Sequence, residues 1–306
     1  MHKAVTHWRR FCLICGLLLL AACSSTTFVY NRLDFLLPWY VDDYVDLNQP
    51  QKQYLDGLLE PFLAWHRARE LPDYLEILEG VQSNLDRPQT PAMIAAVFNQ
   101  FEQAWLRLES ESLDWLLDLG AQLSEDQITE LMEELWERQE EYEEEYLQRT
   151  DEEFYEESYD DALDNAREYL GPLSDAQREV LRQFSRSLLR ADQAWLQARA
   201  GWLTQLGVLL ERKPGWQERV REAVAKQREN PAPEYERIYN HNLVSIYDVI
   251  AEILNGRSEQ QDSHLRDRLA SLQQDLQSLI EQGASAENPG TMVSEPATPS
   301  APGPND

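Results

Sequence analysis

The fold is decided by residues 91–120, which have the sequence PAMIAAVFNQFEQAWLRLESESLDWLLDLG. Thr90 and Pro91 are typical of a helix start, with a capping residue before a first-turn proline, and Gly120 is typical of a helix end. Between them a mainly apolar stripe recurs at spacings of four and three residues: Ile94, Phe98, Phe101, Trp105, Leu108, Ser112, Trp115 and Leu119. At about 1.5 Å per residue, this stripe predicts a helix about 40 Å long that packs one face against other helices.

The same helical period recurs along most of the chain. Ser174 is predicted to cap one long helix that reaches Leu209, and residues 235–254 are predicted to form a helix buried on more than one side. No stretch alternates apolar and polar side chains with the period of a strand. We therefore predict an all-α fold, an elongated antiparallel helical bundle with heptad-like seams.

A dense group of aromatic side chains occupies residues 28–47, and Pro38 predicts a bend between two short helical pieces there. The group comprises Phe28, Tyr30, Phe35, Trp39, Tyr40 and Tyr44. We expect these side chains to pack under the first long helices. Contact with a membrane interface is the alternative, because the segment lies close to a predicted lipid anchor.

Residues 1–22 have the features of a lipoprotein signal peptide, a basic start followed by an apolar run from Phe11 to Ala22. The run ends in Leu20-Ala21-Ala22-Cys23, which resembles a bacterial lipobox and implies cleavage before Cys23 and acylation of that cysteine. In such lipoproteins a serine after the cysteine, here Ser24, favours the outer membrane at its periplasmic face. An uncleaved signal anchor is the alternative, because no charged residue occurs from Phe11 to Tyr30 and about 20 uncharged residues can span a bilayer.

These features predict four segments along the chain. A signal peptide (1–22) and a lipidated tether (23–27) precede a helical body (28–282), within which the Gly-Pro turn at 171–174 is a candidate internal boundary. The terminal segment (283–306) is rich in proline and glycine and lacks core-forming side chains, so it is predicted to be a disordered tail.

Cysteine and charge content restrict the classes of ligand. Cys12 and Cys15 belong to the predicted signal and Cys23 to the lipid anchor, so neither a disulfide nor a cysteine-bound metal is predicted. The formal net charge of −28 argues against nucleic acid and anionic lipid as partners, and is compatible with a cationic partner. The acidic residues of 125–164 predict a solvated helix face, with weak divalent-cation binding as the alternative. No cofactor, dedicated metal site or small-molecule ligand is predicted.

A short pattern recurs three times, as Leu47-Asn48-x-x-Gln51, Leu123-Ser124-x-x-Gln127 and Leu173-Ser174-x-x-Gln177. In each copy the small polar residue is predicted to cap a helix, and the glutamine to return a hydrogen bond to the backbone of the cap. The pattern also resembles the Leu-Thr-x-x-Gln motif of periplasmic stress chaperones, although serine or asparagine replaces threonine. That resemblance implies a helical protein that binds unfolded clients.

The cluster Trp65-His66-Arg67-x-x-Glu70 combines an imidazole, a guanidinium and a carboxylate within five residues. His66 and Glu70 are spaced to share one helix face, and Arg67 lies three residues before Glu70, so a charge-assisted network is predicted. The network either stabilises a turn before Pro72 or supplies the acid–base pair of an envelope enzyme. His241 and Asn242 are predicted to be satisfied core polar groups rather than ligands.

Three further segments resemble a family of uncharacterised lipoproteins from Gram-negative bacteria: Tyr30-Asn31-Arg32-Leu33-Asp34, Trp39-Tyr40-Val41-Asp42-Asp43-Tyr44 and Trp65-His66-Arg67-x-x-Glu70-Leu71-Pro72. The resemblance implies a lipoprotein and no particular activity. We therefore expect a non-enzymatic, outer-membrane-anchored periplasmic lipoprotein, attached to the membrane through lipid on Cys23, that binds a protein partner or an unfolded client. The alternative is an envelope enzyme that uses His66, Arg67 and Glu70.

Overall fold

The computed structural model describes residues 25–287, and the regular elements in that range are helices without a strand among them. In chain order they are α1 (Ser25–Tyr30), α2 (Leu33–Asp42), α3 (Gln49–Trp65), a π-helical turn (His66–Glu70), α4 (Leu71–Asn84), α5 (Pro91–Gln122), α6 (Glu125–Leu147), α7 (Asp151–Leu170), α8 (Asp175–Ser187), α9 (Asp192–Leu209), α10 (Trp216–Glu229), α11 (Pro233–Asn255) and α12 (Glu259–Glu287). The prediction of an all-α fold is confirmed. The predicted signal peptide, Cys23 and residues 288–306 lie outside the described range.

Buried leucines form a large core in one group of helices and two smaller cores in another. The large core is built by α1, α4, α7, α8, α11 and α12, and the leucine stripe of α12 lies in it: Leu265, Leu269, Leu272, Leu276 and Leu279. Full burial of one leucine contributes roughly 1.5–3 kcal/mol, so α12 is a major source of stability. The smaller cores join α3, the C-terminal part of α5, α6, α9 and α10. The helices on either side of the 171–174 turn, α7 and α8, share the large core.

The π-helical turn joins α3 and α4 into one continuous helical segment, whereas the sequence predicted a new start at Pro72. Its hydrogen bond runs from the backbone N–H of Leu71 to the carbonyl of His66, one residue wider than in an α-helix. Pro72 follows immediately, and proline has no N–H to donate and crowds the preceding turn. The wider turn accommodates the proline without ending the helix.

The predicted single helix from Ser174 to Leu209 is wrong, because the chain leaves the helix after Ser187 and re-enters it at Asp192. No glycine or proline marks this break. At the break, the backbone of Leu189 is hydrogen-bonded to the side-chain amide of Asn242, a residue of α11. Oδ1 of Asn242 accepts from the N–H of Leu189, and Nδ2 of Asn242 donates to the carbonyl of Leu189, both at 2.9 Å. A distant side chain therefore supplies the hydrogen bonds that the helix would have made.

The three predicted capping boxes are confirmed, and two more begin at Ser258, with a glutamine, and at Thr150, with a glutamate. Their glutamines are also joined in pairs across helices. Gln51 and Gln127 exchange amide hydrogen bonds at 2.8 Å, and Gln177 and Gln261 exchange them at 3.0 Å. Each pair therefore connects two helix N-termini and satisfies side-chain polar groups that packing removes from water.

The buried glutamine pair predicts that replacing Gln177 with alanine costs about 2 kcal/mol of unfolding free energy, because it removes a capping bond and leaves the amide of Gln261 short of a partner. Glu153 is the matched control, since it completes the exposed capping box of Thr150 without an interhelical partner. Its replacement by alanine is expected to cost clearly less stability than the Gln177 variant loses, because only an exposed capping bond is removed. Urea denaturation measures both, and equal losses would show that the glutamine pair adds nothing.

Candidate functional site

The π-helical turn buries two titratable side chains, those of His66 and Glu70. Their exposed fractions are 4% and 2%, respectively. The hydroxyl of Tyr30 lies 2.9 Å from Nδ1 of His66, and the hydroxyl of Tyr74 lies 3.5 Å from Nε2. The imidazole thus lies between α1 and α4, with each ring nitrogen facing a tyrosine hydroxyl.

Burial determines the charge state of this histidine. Desolvation lowers the pKa of His66 to about 4, and the nearby charge of Arg67 acts in the same direction. Desolvation also raises the pKa of Tyr30 to about 12, against the opposing effect of Arg67. At neutral pH the contact is therefore between a neutral imidazole and a protonated phenol.

Glu70 pairs with Arg107 of α5, and not with Arg67 as the sequence predicted. Nε of Arg107 donates to Oε1 and Nη2 donates to Oε2, both at 2.8 Å, in a bidentate geometry. Nη2 also lies 2.8 Å from Oδ2 of Asp73. The hydrogen bond to Glu70 is the main cause that raises the pKa of Arg107. Arg107 is the only basic residue in the sequence of α5, a signal that could have identified it.

Arg67 shares one partner, Tyr30, with His66. Its Nη2 donates to Oδ1 of Asn31 at 2.8 Å, and its guanidinium lies 5.0 Å from the ring centroid of Tyr30. His66 and Arg67 thus both contact Tyr30, whereas Glu70 pairs with Arg107. The described cavities lie elsewhere, one of about 280 Å³ beside His264 and one of the same volume lined by acidic residues around Arg149. The cluster therefore joins α1, the α3–α4 segment and α5 by buried hydrogen bonds.

His241 and Asn242, the other predicted polar pair on α11, both contact the break between α8 and α9. Nε2 of His241 lies 2.9 Å from the carbonyl of Ser187, on the surface rather than in the core. Asn242 is partly buried and fully hydrogen-bonded to Leu189. Among residues 25–287 no group of three or more histidine, cysteine or carboxylate side chains is placed to hold a metal ion.

A second candidate surface lies along the middle of α5. Four large apolar side chains of the predicted stripe remain exposed or only partly buried there, and we call them the α5 seam: Phe98, Phe101, Trp105 and Leu108. None of the four belongs to the three buried cores. The Phe98 ring packs edge-on against Tyr247 of α11, at 5.2 Å between centroids. The expectation that this stripe is a core seam holds at its two ends, where Ile94 is buried and where Trp115 and Leu119 join a core.

The buried hydrogen bonds of His66 predict that replacing it with alanine lowers the free energy of unfolding by about 1–3 kcal/mol, because the Tyr30 hydroxyl loses its partner. His264 is a matched control, since it is exposed and contacts only a backbone carbonyl among the described bonds. Its replacement by alanine is expected to change stability by less than about 0.5 kcal/mol. Urea melts of the two variants test this. An unchanged melt for the His66 variant would contradict the structural role.

The fold and this buried network define an α-helical bundle domain. The chain belongs to a family of unknown function (DUF6279), whose model matches residues 43–237. The matched region includes His66, Glu70 and Arg107, whereas Tyr30 and α12 lie outside it. No curated protein and no solved structure matches the chain. Among the described residues, no helix has the length and apolar character needed to cross a membrane.

Proposed function

We propose that this protein is a lipoprotein anchored in the outer membrane through Cys23, and that its periplasmic body acts without catalysis by binding a protein partner or an unfolded client. The lipobox-like segment and the serine after it support the anchor and its location. The resemblance to Gram-negative lipoproteins supports the same assignment. The motif shared with periplasmic stress chaperones supports client binding.

The observation that carries the binding role is the α5 seam. It presents large apolar side chains at heptad spacing on a helix whose two ends are buried. Partly exposed aromatic side chains gain stability when a second apolar surface covers them, and an amphipathic helix or an unfolded segment supplies such a surface. The acidic body favours partners with basic side chains beside their apolar ones.

The buried cluster at the π-helical turn weighs against the enzyme alternative. A general acid or base must reach its substrate within hydrogen-bonding distance. His66 and Glu70 are instead covered, and their polar atoms already have partners within the protein. The cluster therefore supports a structural role for these residues better than a catalytic one.

Photocrosslinking in the native envelope tests the proposal. A photoreactive residue at Phe98 samples the α5 seam, and one at Gln100, exposed two residues further round the same helix, is the control. We expect crosslinks from position 98 only, either to one discrete partner or to many envelope proteins when unfolding stress is applied. Equal crosslinking from both positions, or none from either, would contradict a binding role for the seam. Mass spectrometry of the N-terminal peptide tests acylation of Cys23 separately.

A further inference from the structure

Four apolar side chains of α1 and α2 are exposed on one side of the protein, and we call them the N-terminal patch: Phe28, Val29, Phe35 and Trp39. Phe28, Phe35 and Trp39 are 61%, 67% and 57% exposed, so the expectation that they pack under the long helices is wrong for these three. The guanidinium of Arg32 lies 5.1 Å from the ring centroid of Phe28. The patch therefore combines aromatic rings with one cation.

The opposite side of α1 is fixed to the body of the protein. The hydroxyl of Thr27 donates to Asp275 at 3.3 Å, and the amide of Asn31 donates to Gln282 at 2.9 Å, so both reach α12. Tyr30 is buried against His66. In α2, Leu33, Leu37 and Val41 pack against the buried cores. The patch is thus the outward side of two docked helices and has a fixed orientation relative to the bundle.

We propose that the N-terminal patch inserts into the interfacial region of a lipid bilayer and sets the orientation of the bundle on the membrane. The inference rests on the proposed anchor at Cys23. Phe28 is five residues from that cysteine, so the chain cannot place it more than about 17 Å from the acylated N-terminus. Aromatic side chains, tryptophan above all, favour the membrane–water interface.

The size and charge of the patch favour a bilayer over a second copy of the chain. Its exposed area is on the order of 400 Å², because a large aromatic side chain presents about 150–250 Å². A stable dimer buries about 800 Å² on each partner. Arg32, in the turn between α1 and α2, is the only basic residue of segment 25–42 in a strongly acidic chain, so the insertion is apolar and does not depend on anionic lipid.

Spin labels on introduced cysteines measure the depth of the patch. After acylation of Cys23 the mature chain has no free thiol, so Phe35→Cys carries a unique label. Val208→Cys is the matched control, because Val208 is an apolar side chain of α9 that is 61% exposed. The full precursor is expressed, and the purified product is reconstituted in phosphatidylcholine liposomes. We expect the label at 35 to collide more with oxygen than with a water-soluble nickel complex, and the label at 208 to show the reverse.

The same samples separate this inference from the proposed anchor. If the N-terminal peptide is acylated and the label at 35 is as water-accessible as the label at 208, insertion of the N-terminal patch into the bilayer is overturned. The lipid anchor at Cys23 is then still supported. If residues 1–22 remain attached, the lipid anchor fails, and the label at 35 is then measured in a variant with serine at Cys12, Cys15 and Cys23, because those thiols would also take up the label. A label buried in lipid at 35 in that variant still supports insertion of the patch, and a water-accessible label overturns it. Spin–spin broadening at 35 without lipid contact would assign the patch to a second copy and overturn the proposal. Trp39→Cys repeats the test should Phe35→Cys lose its helical circular dichroism.

Discussion

Replacing Arg107 with alanine is expected to lower the free energy of unfolding by about 3–5 kcal/mol, because it leaves the buried carboxylate of Glu70 without its cation. Arg107 is partly exposed, but its partner Glu70 is 2% exposed and receives both of its charged bonds from this guanidinium. Without Arg107 a carboxylate is left in the interior with no cation to compensate it. Urea denaturation at neutral pH measures the loss.

An exposed ion pair provides the control for this prediction. Arg237 bonds Glu234 on the surface of α11 in a similar bidentate way, and alanine at 237 is expected to cost far less stability than alanine at 107, because water screens an exposed pair. Replacing both Glu70 and Arg107 with leucine is expected to recover much of the stability lost by the single variant, because no buried charge then remains. Similar losses from the Arg107 and Arg237 variants would contradict the argument that burial of Glu70 decides the energy.

Helix starts were predictable from the sequence because their signals are local. Thr90, Ser124 and Ser174 each hydrogen-bond to a backbone N–H within their own first turn, so the residue type and its near neighbours suffice. Thr150 begins α7 in the same way, with a capping box of its own. The leucine stripe of α12 was also sufficient to predict burial, although the helix extends to Glu287, beyond the predicted limit at 282.

The contacts that form the candidate sites were not predictable, because they join residues far apart in the chain. Nothing near Leu189 indicates a break, since the amide that causes it belongs to Asn242. Nothing near Glu70 indicates Arg107, so the sequence favoured the nearer Arg67. Apolar periodicity likewise shows which side chains share a helix face, but not whether another helix covers that face. Phe35 illustrates this, because it continues an apolar pattern and remains exposed.

The burial of His66 also predicts a specific pH dependence of stability. The pKa of this imidazole is about 4 in the folded protein and about 6.5 in the unfolded chain. Between these values the unfolded state binds more protons, so stability falls as the pH is lowered and is unaffected by this group above pH 7. The expected loss due to His66 is about 2 kcal/mol at pH 5 and about 3 kcal/mol at pH 4.

Comparison with His66→Gln isolates this contribution, because glutamine keeps hydrogen-bonding capacity but does not titrate. The stability of each protein is measured by urea denaturation from pH 7.5 to pH 4, and the wild-type value minus the variant value is followed. Carboxylates titrate in both proteins and cancel in that difference, which is therefore expected to decline as the pH falls through 6.5. The His264→Gln variant controls for histidine loss at the surface. A constant difference across the range would mean that His66 has the same pKa in the folded and unfolded protein, which would contradict a buried neutral imidazole. A difference that rises as the pH falls would mean that His66 is held protonated in the folded protein.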